Sequence, residues 1–344
     1  MARRQACLLN RVNVGVVLVG LGRMGRVHLH AMREHVPALT LAAVAEPRLD
    51  VAAAGLIGEV AVYAEAGSAL RHPGLAACVV AAPTEVHRGV VEEALELGLH
   101  VFCEKPLTLA QDESLLLQSS AASRGLVLQV GFWRRFAAPL MEARRLLRAG
   151  AIGRPVLVRL VQWDVDSPPA TWCDPVRSGG IFVDMGVHEY DEIEWLLDAP
   201  ITEVSAQPLA LVNQELARVG DVDNALVFAA VEGGVRAIVE LSRNGRYADD
   251  VRLEILGSDG ALLVETVPTA RVRLGTRQGL VTVWEGVDDF FLAAVGAELS
   301  AFAALASGDT TATNVPGAAD SVRAVAIGEA ARASAASGAP VAVA

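Results

Sequence analysis

Residues 12–19 are almost continuously apolar and rich in valine, the pattern of a strand buried on both faces of a parallel sheet. A glycine-rich turn follows, after which Met24, Val27, His28 and Ala31 recur at i, i+3, i+4 and i+7, the period of a helix laid on that sheet. The same alternation predicts strands over 39–45, 77–82, 100–103 and 126–130, with helices over 85–97 and 112–123 between them. Strands alternating with helices predict an α/β fold with an N-terminal doubly wound parallel sheet, a Rossmann domain. From about Leu160 the pattern changes. One long helix is followed by strand-like runs at 225–231, 235–242, 251–256 and 261–266. Tight turns at Glu232-Gly233-Gly234 and Ser258-Asp259-Gly260 make these antiparallel hairpins, so the C-terminal part is expected to be an α+β domain with a mostly antiparallel sheet. Helical patterns close the chain at 288–305 and 318–335. The boundary is expected near residues 131–136, giving domains of 12–132 and 133–344, with the last helix a candidate for packing back on the first.

A chain of 344 residues is longer than one hydrophobic core usually serves, which agrees with two domains. The net charge of −11, with no basic run longer than pairs such as Arg134-Arg135, offers no footprint for nucleic acid. Cys7, Cys78, Cys103 and Cys173 are widely spaced, without CxxC or Cys/His metal spacing, so neither a disulfide framework nor a zinc site is indicated and the reducing cytoplasm is the expected compartment. No apolar run reaches the ~18 residues of a membrane span, and residues 1–11 read as a frayed extension rather than a signal peptide.

The turn Gly20-Leu21-Gly22-Arg23-Met24-Gly25 is a GxGxxG between a predicted strand and a predicted helix, the context that gives this pattern meaning. Gly20 permits a tight turn, Gly22 lets backbone approach a pyrophosphate, and Gly25 allows close helix–strand packing, with the anion on the helix N-terminus. A glycine turn without a ligand is the alternative. Glu46 ends the second strand about 20 residues beyond this fingerprint, where a carboxylate accepts ribose hydroxyls and repels a 2′-phosphate. NAD is therefore expected over NADP, although Arg48 nearby could neutralise such a phosphate. Glu104-Lys105-Pro106 follows the 100–103 strand at the carboxyl end of the sheet, where a lysine can polarise a substrate oxygen. The Lys105-Pro106 bond can also be cis there. In isolation, Glu-Lys-Pro is a common tripeptide that a surface loop explains better.

Within 179–191, Asp184, His188 and Asp191 fall at i, i+4 and i+7, sharing a helical face beside an apolar stripe of Tyr190, Ile193 and Leu197. Histidine is the usual proton carrier near neutral pH, and a carboxylate beside it fixes its tautomer. A solvated ion-pair face has the same spacing. Two carboxylates and one histidine leave a zinc site incomplete, so no metal is expected. His28 occupies a core-facing position and reads as packing, and nothing near Cys103 favours a reactive thiolate.

Glu104-Lys105-Pro106, the glycine fingerprint and the closing Asp320-Ser321-Val322-Arg323-Ala324-Val325-Ala326-Ile327 together resemble the glucose–fructose oxidoreductase and inositol dehydrogenase family, Gfo/Idh/MocA, over nearly the whole chain. Residues 129–136 and 179–191 resemble its inositol 2-dehydrogenase branch. The resemblance implies an NAD-dependent oxidoreductase of carbohydrate metabolism that oxidises a secondary hydroxyl of a cyclic polyol, of the myo- or scyllo-inositol type, to a ketone. It also implies a large open sheet in the second domain and a homotetramer. By that resemblance Lys105, Asp184 and His188 are catalytic, and Arg134 and Asp191 approach substrate hydroxyls, together with Trp133, Asp164, Asp166 and Tyr247, the last of these weighed against a surface role. Arg23, Met24, Ala82, Pro83, Thr84, His87 and Glu104, with Lys105, complete the expected cofactor contacts, His87 chiefly by organising its turn.

Three features depart from the branch. Trp133 stands where methionine is frequent, Glu189 replaces an aspartate, and 162–167 lacks the expected histidine and asparagine. A stereoisomer, an aminocyclitol precursor or a pyranose thus stays open, and a sugar or sugar-derivative dehydrogenase is the competing enzyme. A nucleotide-sensing regulator of the same fold is the non-enzymatic alternative, though it would be expected to lose Lys105 or His188.

Overall fold

The computed structural model describes residues 13–267, 270–286, 290–309, 311–312 and 315–344, without the side chains of 51–53. The expected extension at 1–11, Cys7, the first residue of the expected 12–19 strand and the start of the expected 288–305 helix lie outside the described residues. The chain divides into two compact units: Met1–Glu104 with Leu116–Gly131 and Val295–Gly317, and Lys105–Leu115 with Phe132–Ala294 and Ala318–Ala344.

The first unit is built on six strands: β1 (Val14–Val19), β2 (Leu39–Ala45), β3 (Ala61–Tyr63), β4 (Ala77–Val80), β5 (His100–Glu104) and β6 (Leu128–Gly131). They lie in the order β3-β2-β1-β4-β5-β6, every pair parallel. This is the doubly wound Rossmann order, with its topological switch between β1 and β4. Val16, Val17, Leu18, Cys78, Val79, Val80, Val101, Phe102 and Cys103 are wholly buried, which is why these strands read as unbroken apolar runs. The segment Val295–Gly317 joins this unit through hydrogen bonds from Gln129 Nε2 to the Glu298 carbonyl (3.1 Å) and from the Val130 amide to the Pro316 carbonyl (2.9 Å).

The second unit carries nine strands: β7 (Pro155–Trp163), β8 (Ile201–Leu209), β9 (Asn224–Val231), β10 (Arg236–Ser242), β11 (Asp250–Gly257), β12 (Ala261–Val267), β13 (Arg271–Thr276), β14 (Gly279–Glu285) and β15 (Val341–Ala342). Their order is β14-β13-β12-β11-β7-β10-β9-β8-β15, antiparallel except where β7 runs parallel to β10. The β9–β10 and β11–β12 hairpins are those expected from the two glycine turns. Helices Ala138–Arg148, Val187–Leu197 and Ala318–Ser337 pack on this sheet, and Val158, Leu160, Val227, Val239, Leu253 and Ile255 form its buried core.

The units break at Gly131/Phe132, within the expected boundary, and two further segments, Lys105–Leu115 and Val295–Gly317, are interleaved between them in sequence. The segment beginning at Lys105 is tied into the second unit by a hydrogen bond from the Leu107 amide to Ser321 Oγ (3.0 Å). The last helix, Ala318–Ser337, packs on β8 and on Val187–Leu197 in its own unit, and the segment before it, Val295–Gly317, belongs to the first unit.

Candidate active site

At the head of β1 the chain turns at Gly20, whose φ of 94° belongs to the left-handed region that side chains avoid. A Cβ on Gly25 would lie 2.1 Å from the Gly20 carbonyl oxygen, so the first helical turn can sit on the strand only without one. Gly22 is the opposite case: a Cβ there would meet nothing within 4 Å. That open approach, at the start of the helix Arg23–His35, fits a dinucleotide pyrophosphate. Arg23 is exposed and Met24 half-buried beside it.

Glu46 braces the turn. Its Oε2 accepts from the Leu21 amide (2.8 Å) and Oε1 from the amide of Arg48 (3.1 Å), whose side chain is exposed. Arg26, not foreseen from sequence, donates from Nε to the Leu21 carbonyl (3.0 Å). Across the switch, Ala82, Pro83 and Thr84 lead into the helix Thr84–Glu96, and His87 Nε2 meets the Ala82 carbonyl at 2.8 Å, holding that turn. Glu104 is a buried carboxylate 2.7 Å from His28 Nε2, with the His28 ring edge-on to Phe102. Burial pushes the Cys103 thiol well up, with the Glu104 charge adding to it, the reverse of an activated thiolate.

In the second unit, Lys105 follows β5 through a cis bond to Pro106. Its Nζ donates to the Asp184 carbonyl at 2.7 Å and lies 3.6 Å from Asp184 Oδ1. The structure thus joins two of the three expected catalytic residues from distant parts of the chain. Asp184 does not lie on the same α-helix as His188. It belongs to a π-helical turn, Ile181–Met185, closed by the Gly186 amide on the Ile181 carbonyl (3.2 Å), and the α-helix begins at Val187. Wide turns of this kind re-aim a side chain and occur often at functional sites. Gly180 opens the turn at φ 65°, with Asp221 Oδ1 where its Cβ would stand (2.8 Å). His188 is 9% exposed, its ring edge-on to Phe132 (6.2 Å) and Trp133 (6.4 Å), and Trp133 in turn packs on Phe291 (4.7 Å). The aromatic walls orient the imidazole.

Several of the other expected substrate contacts have partners within the second unit. Arg134 is buried, with Nη1 on Glu189 (2.5 Å) and Glu192 (3.1 Å) and Nη2 on Gln162 (2.8 Å). Asp191 is gripped through both oxygens by Arg135, which also binds Asp320 (2.6 Å). Burial raises its carboxyl to about 6 against the opposing pull of Arg135. Tyr247 is 64% exposed and gives its hydroxyl to Asp250, a surface position. Asp164 accepts from Gln162 Nε2 (3.1 Å), and Asp166 is exposed.

Two residues that sequence reasoning missed complete the cluster. Arg243, 1% exposed, places Nη1 and Nη2 at 3.3 and 3.4 Å from Asp184 Oδ2, with Nη2 also 3.4 Å from Asp221 Oδ2. Burial opposes the Arg243 charge, and the carboxylates of Asp184 and Asp221 outweigh it. A lone arginine after an apolar strand carries no spacing signal toward either aspartate.

The Rossmann strand order and the glycine turn at its switch define a dinucleotide-binding class of protein. The chain belongs to the Gfo/Idh/MocA family: residues 14–132 match the oxidoreductase family with an NAD-binding Rossmann fold, and residues 140–263 match the GFO/IDH/MocA C-terminal domain. It is similar to scyllo-inositol 2-dehydrogenase (NAD(+)) of Bacillus subtilis (strain 168), 34% identical over 269 residues, 77% of this chain and 78% of the relative. Myo-inositol 2-dehydrogenase of Thermotoga maritima is 31% identical over 78% of this chain and 79% of its own. The crystal structure of scyllo-inositol dehydrogenase from Lactobacillus casei with bound cofactor NAD(H) and scyllo-inositol superposes with a TM-score of 0.81 at 25% identity, covering 96% of this chain and 99% of that one.

Proposed function

We propose that this protein is an NAD-dependent dehydrogenase that oxidises a secondary hydroxyl of a cyclic polyol, of the myo- or scyllo-inositol type, to a ketone. The observation that carries the reading is the meeting of Lys105 with Asp184, with His188 on the next helical turn. The inositol dehydrogenases to which the chain is similar support the substrate class.

The residues divide the work. His188 takes the hydroxyl proton, its imidazole held by Phe132 and Trp133. Lys105 donates to the same oxygen and stabilises the charge that grows there. Asp184 holds the lysine through its carbonyl and its carboxylate. Bound NAD supplies the acceptor for the hydride leaving carbon. Gly20, Gly22 and Gly25 form its cradle, and Glu46 favours NAD over NADP because a carboxylate repels a 2′-phosphate.

NADH absorbance measured against inositol stereoisomers and common hexoses tests the reading. Turnover should be greatest with an inositol, and Lys105→Ala should lower kcat at least about 10²-fold, the usual scale for a positioned proton-transfer group. Near-normal turnover in that variant removes lysine from the mechanism, and greater activity with an aldose than with any cyclitol overturns the substrate class.

We further infer a cytoplasmic homotetramer. Supporting it is the sheet face opposite the core, where Phe228 (41%), Leu157 (38%) and Leu256 (51%) stand exposed around the Arg159–Glu240 pair. Exposed apolar side chains on one sheet face are a feature of association sites. Among the described residues no helix is long and apolar enough to cross a membrane.

A further inference from the structure

We propose that Arg243 is a positioning residue for catalysis, which acts through Asp184 by holding one carboxylate oxygen so that the other is presented to Lys105. The inference rests on Lys105, Asp184 and His188 being the reacting cluster.

The arrangement is specific. Asp184 divides its oxygens between two cations: Oδ1 lies 3.6 Å from Lys105 Nζ, and Oδ2 lies 3.3 and 3.4 Å from the two terminal nitrogens of Arg243. Asp221 anchors the same unit from behind. Its Oδ2 is 3.4 Å from Arg243 Nη2, and its Oδ1 accepts from the amide of Ile181 (2.9 Å), the first residue of the π-helical turn that carries Asp184. Arg243 is itself fixed at the end of β10, where its amide donates to the Asp223 carbonyl (2.9 Å). Side chain and backbone of the Asp184 turn are therefore tied to one guanidinium–carboxylate pair.

Charge gives the arrangement its consequence. Lys105 and Arg243 face Asp184 and Asp221, two cations with two anions. Asp164 and the Cys173 thiol are the other titratable groups acting on Arg243, and His188 follows Asp184 by one helical turn. Without the guanidinium, both carboxylates lose their shared counter-charge. Removing a cation raises the proton affinity of every neighbour; removing an anion lowers it. The two ends of the Arg243–Asp221 pair should thus move the pH profile in opposite directions. An arginine that merely fills space has no such signature.

The test uses the purified full-length protein with NAD and its best inositol substrate. Arg243→Met should lower kcat by about 10²-fold, the cost of misplacing a reacting group by about 1 Å, while NADH affinity by fluorescence stays within about twofold. The ascending limb of its kcat/KM profile should move up by about half a pH unit or more, and that of Asp221→Asn should move down. Arg243→Lys, which keeps the charge without the fork, should recover part of kcat and leave the limb in place. Unchanged kcat and limb in a folded Arg243→Met overturn the proposal. So do limbs that move in the same direction, or a lysine variant no better than methionine. If Arg243→Met does not fold, Asp221→Asn and Arg243→Lys decide: an unmoved limb in the former, or a displaced one in the latter, sinks the idea. Loss of turnover in Lys105→Ala with normal Arg243→Met leaves the dehydrogenase reading standing and removes only this inference. Absence of polyol-dependent NADH formation in the parent protein removes both.

Discussion

Arg134 and Asp191 stand where a substrate-facing role was expected, yet their polar atoms close ion pairs inside the second unit. A buried guanidinium or carboxylate must find partners, and Glu189, Glu192 and Arg135 are near enough to supply them. This is the kind of information a sequence withholds: Lys105, Asp184 and the glycines stand in motifs, while Arg243 and Asp221 acquire meaning only when distant strands and turns meet. The three fingerprint glycines were readable because each has a separate physical requirement, and they can be tested separately. Gly25→Ala should destabilise the fold by about 1–3 kcal/mol, the cost of overpacking, because its Cβ would strike the Gly20 carbonyl oxygen. Gly22→Ala should change thermal stability by less than about 0.5 kcal/mol. The same variant should weaken NAD binding about tenfold or more, equivalent to about 1.4 kcal/mol, by filling the pyrophosphate approach. Calorimetry with NAD titration separates the two; equal loss of stability in both variants would contradict this account of Gly22.

The helix Val187–Leu197 brings together His188 and a buried acidic face. Burial raises Glu192 from its ordinary 4.5 to about 7, against the pull of Arg134. Between those values the folded state binds more protons than the unfolded, so this group lowers stability as pH rises through the window. Glu192→Gln has no charge to bury and leaves Arg134 with Glu189 and Gln162 as partners. Its stability relative to the parent should therefore improve between about pH 5 and about pH 8, by on the order of 1–3 kcal/mol or a few degrees in Tm. Thermal scans at both pH values check this, and a constant or reversed difference would rule it out. Elements as a whole were uneven in what their patterns disclosed. The parallel strands read clearly because both faces are buried. In β7 the half-buried Arg159, paired with Glu240, interrupts the run, and the mostly exposed β14 has no inward face to read. The helical period across 184–191 missed the π-helical turn, since one extra residue in a turn leaves no mark on composition.

At the scale of the whole molecule, the two architectures were expected from sequence, but the interleaving of segments was not. The exchange depends on long-range bonds such as Leu107 to Ser321 and Val130 to Pro316. The open nine-stranded sheet has its own prediction. Light scattering should show a tetramer, and Phe228→Glu, which places a charge in the exposed apolar face, should yield smaller species with the fold retained; an unchanged mass would move the interface elsewhere. The central claim is chemical: hydride leaves a ring carbon of a cyclic polyol while Lys105 and His188 manage the oxygen. Incubating the enzyme with NAD and scyllo-inositol deuterated at every carbon, then weighing the reduced nucleotide by mass spectrometry, tests this most directly. The account predicts one deuterium in each reduced nucleotide, formed by the parent protein and at least about 10²-fold more slowly by Lys105→Ala. Reduced nucleotide without deuterium, or none formed from any cyclitol while NAD binds, would contradict it.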